Sequence, residues 1–384
     1  MTEPGSDVVV VGGGIVGAAC AYFAARAGLS VTLLERGTVG SGTTSRGEGN
    51  ILVSDKGAGP ELELALWSRR LWRELGDDLG ADTIELDEKG GLVVATAALE
   101  PLLAFAKGQR AAGVDAVPVK ADRLGDLEPH LARDLPGGVH YPQDMQVQPV
   151  LAAIGLARAA QERGARLELG VEVTAVERDG AGAVSAVLAS GRRFPTEAVV
   201  NAAGTWGREM SERLGGPVPV LPRRGFILVT EPLPRVVRHK VYSADYVDNV
   251  ASSDAGLETS VVVEGTRGGT VLIGASRERV GFDMTMSVDV VRRLASQAVR
   301  LFPFLSDVVV MRLYRGFRPY CPDHLPVIGA DPRVPGLFHA CGHEGAGIGL
   351  APATGRLVTQ LLTGQEYGVD PQPFSPTRFA DVLA

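Results

Sequence analysis

The stretch "DVVVVGGGIVG" (residues 7–17) is a short β-branched run followed by glycines at a fixed spacing. Val8, Val9, Val10 and Val11 suit a buried parallel strand. Gly12, Gly14 and Gly17 then follow as G-x-G-x-x-G. The first permits a tight turn, the second lets a pyrophosphate approach the backbone, and the third lets a helix pack close to the strand. Residues 15–27 read as a helix of small residues whose first turn, at Ile15 and Val16, faces the phosphates. Gly28 ends it, and residues 29–34 form the next strand. Glu35 stands 23 residues after Gly12, where a carboxylate can accept the ribose hydroxyls. Its charge would repel a 2′-phosphate, which disfavours NADP. The competing reading is a glycine turn in an ordinary βαβ unit. Strand, helix, second strand and acid in register favour a dinucleotide site, but the pattern leaves open which dinucleotide.

The bulk properties narrow the field. At 384 residues the chain has room for two domains, and with 45% apolar and 22% charged residues it can bury large cores. A net charge of −7 and the lack of a long basic run argue against a nucleic-acid partner. Cys20, Cys321 and Cys341 are far apart and form neither a metal-binding pair nor a disulfide framework, which suits the cytoplasm. No metal site is expected. No signal peptide is expected before the first strand, and no apolar run approaches transmembrane length.

Further along, residues 36–50, "RGTVGSGTTSRGEGN", form a polar glycine-rich loop too long for an ordinary strand-to-helix turn. Helices are expected over 61–79, 101–112, 121–127, 149–163 and 288–302, and a strand over 90–96. "RRFPTEAVVNAAGTWG" gives another strand entering a glycine loop at Ala203 and Gly204. Residues 217–325 carry strands with little helix between them, which suggests a mostly antiparallel sheet. "GLFHACGHEGAGIGLAPATGRLVTQLLTG" reads as strand, glycine loop and helix, with the helix starting around Leu350 or after Pro352. The tail after Gly368 reads as an arm or frayed end.

Four pieces in order, "GGGIVG" with Glu35, "GTTSRGEGN", "NAAGTWG" and "RPYCPDHLPVIG" with "GHEGAGIGLAPATG", resemble the FAD-dependent amino-acid oxidase family of glycine oxidase, sarcosine oxidase and D-amino-acid oxidase. "GEGNILVSDK" and "VVVEGTRGGTVLIGASRERVGFD" look most like the β subunits of opine, hydroxyproline and proline dehydrogenases and hydrogen cyanide synthase. The resemblance spans essentially the whole chain and implies FAD. It also implies a mixed α/β and α+β fold: a discontinuous Rossmann-type FAD-binding domain (1–89, 146–216, 326–384) and a mostly antiparallel-sheet substrate domain (90–145, 217–325). A second glycine loop some 330 residues after the first agrees, since a flavin ring must be held at its far end and an NAD site needs no such loop.

By the same resemblance the loop after Glu35 runs along the diphosphate to the flavin. Arg36, Thr43, Thr44 and Ser45 supply donors, and Gly47 and Gly49 keep the backbone near the ring. Glu48 and Asn50 are unusual there: Glu48 is either a solvated loop carboxylate or the partner of a substrate amine. Val173 touches adenine or is plain core. Ala203, Gly204 and Trp206 form the second nucleotide loop, and Trp206 could equally be packing. Arg318 takes the place of the arginine that grips the substrate carboxylate, for which a planar fork is suited. Gly342, His343, Gly345, Gly347, Ile348 and Gly349 approach the flavin, where a helix N-terminus would stabilise the reduced ring. His343 has either a flavin role or an ordinary loop hydrogen bond. Tyr320, Tyr246 and Tyr314 are candidate pocket aromatics, Tyr320 foremost. The family's cofactor takes the α-hydride of a neutral amine at flavin N5 and leaves an imine for water to hydrolyse.

Two departures stand out. Gly316 occupies the place where sarcosine oxidases attach FAD through a cysteine, and Cys321 is out of position, so FAD is expected to be noncovalent. Leu272 stands where those oxidases carry an oxygen-activating lysine. The expected activity is that of a dehydrogenase acting on an amino acid, imino acid or N-substituted amino acid, passing electrons to a second flavoprotein subunit and an iron–sulfur subunit. A stand-alone oxidase producing hydrogen peroxide and a non-catalytic FAD-holding relay subunit are the alternatives.

Overall fold

A computed structural model describes residues 1–247 and 252–379. Two large sheets organise the chain. The first has strand order β17-β18-β11-β1-β2-β8, with β10 and β9 continuing antiparallel from β11. Its strands are β1 (Ser6–Val11), β2 (Val31–Glu35), β8 (Arg166–Leu169), β9 (Val173–Arg178), β10 (Val184–Ala189), β11 (Arg192–Asn201), β17 (Val327–Ala330) and β18 (Leu337–Cys341). The pairings β1–β2, β1–β11, β11–β18 and β2–β8 are parallel. The valine run of β1 is therefore central, and each of its four valines is at most 4% exposed, as a strand covered on both faces requires.

The second sheet runs β16-β12-β15-β14-β13-β4-β6-β5 and is antiparallel except where β13 meets β4. It comprises β4 (Gly91–Val94), β5 (Val117–Lys120), β6 (Gly137–Tyr141), β12 (Leu221–Thr230), β13 (Lys240–Ser243), β14 (Glu258–Gly265), β15 (Val271–Arg277) and β16 (Val310–Tyr320). A two-stranded ladder of β3 (Asn50–Ile51) and β7 (Met145–Gln146) joins the loop beyond Glu35 to this half of the molecule.

The helices are α1 (Ile15–Arg26), α2 (Pro60–Leu79), α3 (Glu100–Ala111), α4 (Leu124–Leu127), α5 (Pro149–Glu162), α6 (Gly207–Leu214), α7 (Val288–Leu301) and α8 (Gly347–Thr363). In α1 the alanines let neighbours approach: a Cβ on Gly355 of α8 would sit 2.6 Å from the Ala19 carbonyl carbon. No helix among the described residues is long and apolar enough to cross a membrane.

Two expectations from the sequence are corrected. Helix α8 starts at Gly347, ahead of Pro352, which lies inside it. Proline removes one helical donor and disturbs the turn before it. The freed carbonyls find side chains of α2: Trp72 Nε1 donates to Ile348 O (3.2 Å) and Gly349 O (3.1 Å), and Ser68 Oγ donates to Gly349 O (2.6 Å). The Ala353 N–H donates in turn to Ser68 Oγ (3.2 Å). Nor is the described part of the tail a frayed arm. Phe374 and Phe379 are 1% and 5% exposed, and Arg378 Nη2 donates to Leu325 O (2.7 Å). Residues 380–384 lie outside the described residues.

Candidate active site

A cavity of about 300 Å³ runs from the end of β2, past the N-terminus of α1, to the N-terminus of α8. Gly12 adopts φ +110°, and a Cβ there would meet Ala202 O at 2.5 Å. A Cβ on Gly17 would lie 1.9 Å from Gly12 O, so this glycine serves the packing of α1 against the turn and does not itself line the cavity. Gly14 caps α1 without a side-chain bond. The Ile15 N–H donates to Thr44 Oγ1 (3.0 Å).

At the β2 end, Glu35 folds back on its own loop. Its Oε2 accepts from the Gly13 N–H and its Oε1 from the Gly37 N–H, both at 2.7 Å. Arg36 lies 4.3 Å above the Trp206 ring, which stacks on Phe282. Val173, Ala203, Gly204 and Trp206 line this end. The Val173 carbonyl accepts from Arg213 Nη1 (3.0 Å). In the middle, Thr205 Oγ1 donates to Phe317 O (2.7 Å) and lies 2.8 Å from Thr43 Oγ1, tying both glycine loops to β16.

At the α8 end the lining includes Gly47, Glu48, Asn50, Tyr246, Gly316, Arg318, His343, Gly345, Gly347 and Ile348. Arg318 lies across Gly225, where a Cβ would come within 2.2 Å of Nη1, and Nη1 donates to Ser276 O (2.8 Å). Burial, and then the Arg277 guanidinium, push Arg318 down to about 10, still charged at neutral pH. Glu48 is 7% exposed and is no solvated loop residue. Its Oε2 accepts from Asn50 Nδ2 (2.9 Å) and Lys240 Nζ (3.3 Å), while Oε1 has no partner. Burial alone would raise the Glu48 pKa, but Lys240, the Asn50 bond and Arg318 outweigh it and hold the carboxylate ionised. His343 sits 2.9 Å from Thr354 Oγ1, and burial pushes it down to about 3, so its imidazole is neutral.

Several expected site residues lie elsewhere. Tyr320 is not in the lining: its buried ring lies beneath Arg223 (5.4 Å) and Arg279 (5.1 Å) and edge-on to His324. Tyr246 is the candidate tyrosine that reaches the cavity, and Tyr314 does not. The Ser45 hydroxyl turns back to Ser41 O (3.1 Å). Gly49, at φ +98°, passes so near Val147 O that a Cβ would stand 1.9 Å away. Gly342 packs against Val220 and Cys321, and Gly349 against the backbone of Asn50 and Ile51. These last glycines shape the walls from behind.

The sequence reading missed Lys240. It is 1% exposed, 3.3 Å from Glu264 Oε2 as well as from Glu48, and bonded to Asn50 Oδ1. Lys89 completes the row, 3.1 Å from Glu264 Oε1. Lys240 is 192 residues from Glu48, and no local pattern marks it.

Comparison with known proteins agrees with this geometry. Residues 7–361 match the DAO family, described as FAD dependent oxidoreductase. The chain belongs to this family. It is 33% identical to glycine oxidase of Geobacillus kaustophilus over 97% of each chain. It is 28% identical to hydrogen cyanide synthase subunit HcnC of Pseudomonas aeruginosa, over 97% of this chain and 96% of the other. The crystal structure of the Geobacillus kaustophilus glycine oxidase superposes with a TM-score of 0.88 at 31% identity, covering 98% of this chain and 99% of that one. L-proline dehydrogenase from P. horikoshii shares the fold, with a TM-score of 0.90 at 23% identity and 99% coverage of both chains.

The chain is therefore an FAD-dependent oxidoreductase, and its residues fit the cofactor. Two helix N-termini without side-chain caps, those of α1 and α8, open on one cavity. Such ends attract anionic or electron-rich groups. Between them the glycine walls leave no room for side chains: a Cβ on Gly47 would lie 2.7 Å from Ile348, and one on Gly316 2.4 Å from Arg46.

Proposed function

We propose that this protein oxidises the C–N bond of an amino acid, imino acid or N-substituted amino acid, as the catalytic subunit of a heteromeric dehydrogenase. One observation carries the reading. Arg318 and an ionised Glu48 with one unpartnered oxygen face the same cavity end, beside the helix that would hold the flavin. Arg318 binds the substrate carboxylate through its fork. Glu48 accepts a hydrogen bond from the neutral amine at its free Oε1, and Lys240 holds that carboxylate ionised. Bound FAD supplies the two-electron oxidant for the substrate's α-hydrogen. Holding the two polar ends of the substrate fixes which face of its α-carbon is presented, and such orientation supplies much of the rate. His343, being neutral, donates or accepts a hydrogen bond without adding charge. The division into FAD-binding segments 1–89, 146–216 and 326–384 and substrate segments 90–145 and 217–325 belongs to the same proposal.

The name of HcnC as a subunit supports the heteromeric role. So does strand β16, which forms one edge of the second sheet and exposes Val310, Met311 and Leu313 beside Val309. An unpaired apolar edge suits a partner chain, here a second flavoprotein subunit and an iron–sulfur subunit. Three buried free cysteines favour the cytoplasm. The second reading, a stand-alone oxidase releasing hydrogen peroxide, is favoured by the higher identity to glycine oxidase than to HcnC. The test is anaerobic mixing of the purified holoprotein with a panel of amino acids, imino acids and N-substituted amino acids. Bleaching of the flavin by at least one of them is expected. A flavin left oxidised by all of them supports the relay-subunit alternative.

A further inference from the structure

We propose that Phe282, on the loop between β15 and α7, retains FAD by clasping Trp206 in the wall of the cavity. The stretch "VVVEGTRGGTVLIGASRERVGFD" ends in Gly281, Phe282 and Asp283, none of which lines the cavity. Each of the three has a separate task in the loop. Gly281 takes φ +62°, and a Cβ there would touch nothing, so glycine serves the turn and not the space. Phe282 stacks on Trp206, with ring centres 5.7 Å apart and planes within 10° of parallel, and meets Phe317 edge-on at 5.3 Å. One oxygen of Asp283 accepts from Arg224 Nη1 (2.6 Å) and the other from the Thr285 N–H (2.8 Å).

The loop is tied at its base and open at its apex. Arg224, buried on β12, shares two main-chain bonds with Glu278 (2.8 and 3.1 Å). Its Nε donates to Glu278 Oε1 (2.7 Å), and its Nη1 also donates to Asp283 O (3.0 Å) and Thr285 O (3.1 Å). One arginine therefore holds both ends of the loop to the second sheet. Residues 280–285 are all exposed, so little apolar burial fixes the apex, and its position depends on where the Phe282 ring finds a partner.

That partner belongs to the other sheet. Trp206 follows β11, lines the cavity, and carries the Arg36 guanidinium 4.3 Å from its ring centre, and Arg36 lines the cavity too. A Cβ on Gly42 would lie 3.3 Å from the same indole, so the ring closes directly on the loop that follows Glu35. Arg36, Trp206, Phe282 and Phe317 thus form one row of contacts along a flank of the cavity. The first two come from the first sheet's side and the last two from the second's. A cofactor enclosed between two sheets leaves only when they part along some flank. At Phe282 this flank is joined by a ring contact that can break without unfolding either sheet. Phe282 acts through Trp206 and is a positioning residue.

The test measures FAD release from the holoprotein. The protein is diluted with a phosphodiesterase that cleaves only released FAD, and the rise in flavin fluorescence gives the rate. Phe282→Ala is expected to release FAD roughly 3- to 10-fold faster, the worth of one aromatic pair. Phe282→Tyr should keep the parental rate. Arg224→Met, which unties the loop and leaves the ring in place, should speed release as well. Val280→Ser, at the same exposed apex but outside the row, should not. Melting the apo- and holoprotein separates retention from plain stability: Phe282→Ala should shrink the rise in Tm that FAD confers. Unchanged release from a folded Phe282→Ala protein overturns the inference. So does an equal acceleration by Val280→Ser, or a Phe282→Ala loss of Tm that is the same with and without FAD. If Phe282→Ala does not fold, Phe282→Leu, which keeps apolar bulk and removes the ring face, carries the same comparison.

Discussion

Replacing Lys240 by methionine removes one charge from a closed row. Two carboxylates, Glu48 and Glu264, and two ammonium groups, Lys240 and Lys89, alternate there, each of the four no more than 6% exposed at its side chain. Lys240 stands 3.3 Å from an oxygen of each acid. At that separation each contact is worth about 5 kcal/mol in a medium of effective dielectric near 20, before desolvation is subtracted. After that subtraction, breaking a buried pair from one side costs about 3–5 kcal/mol. The loss should depend on pH in a definite sense. In the native protein the Glu48 pKa lies below its usual value, so its contribution is present above about pH 4.5 and is lost as pH falls through the lowered pKa. In Lys240→Met burial is no longer opposed by the neighbouring cation. The Glu48 pKa rises from its native value, and the variant is penalised at neutral pH and relieved in mild acid. Paired thermal melts at pH 5 and pH 8 read this as a gap in Tm that is wide at pH 8 and narrower at pH 5. The double substitution Glu48→Gln with Lys240→Met should recover part of the lost stability, because no unpaired charge then faces Lys240's place. A single variant as stable as the parent at pH 8, or a Tm gap unchanged with pH, would refute the reasoning.

Three further outcomes are expected. Arg318→Ala should retain FAD but bind substrate roughly 30- to 1000-fold more weakly, with Arg318→Lys recovering only part of the loss; unchanged anaerobic bleaching in Arg318→Ala would remove its role as carboxylate anchor. Acid precipitation should release the flavin colour to the supernatant, since Gly316 has no side chain to attach it and Cys321 is buried away from the cavity; colour retained in the pellet would show a covalent link. Reduced enzyme should react slowly with oxygen and quickly with an acceptor dye in stopped flow, since Leu272 lies outside the cavity lining and the charge of Lys240 is already balanced by two carboxylates. A rate difference of one decade needs only about 1.4 kcal/mol, and a faster reaction with oxygen would favour the oxidase reading.

What could be read in the sequence was local. Gly12, Gly14 and Gly17 act within one turn, so their spacing alone gives the β1–α1 geometry and the phosphate end of the cavity. Arg318 was legible because a short motif around it carries a resemblance. Lys240 was not, because its meaning comes from partners brought together by the second sheet: Glu48 is 192 residues away. Tyr320 follows Arg318 closely in the chain, yet its ring serves the arginines behind the cavity. The start of α8 was misplaced because Pro352 is tolerated only through Trp72 and Ser68, some 280 residues earlier.

The position of β1 bears on how the protein is made. One neighbour, β2, follows closely, but the other, β11, comes some 190 residues later, and β18 closes on β11 only at residues 337–341. On the ribosome the first strand to emerge therefore waits for half the chain before its second edge is covered. The far wall of the cavity, at Gly345 and Gly347, is synthesised later still. The nascent protein cannot close a complete cofactor site until nearly all of it has been translated. Until then an unfinished apolar sheet stands open, and such transiently exposed apolar surface and unpaired strand edges are prone to association.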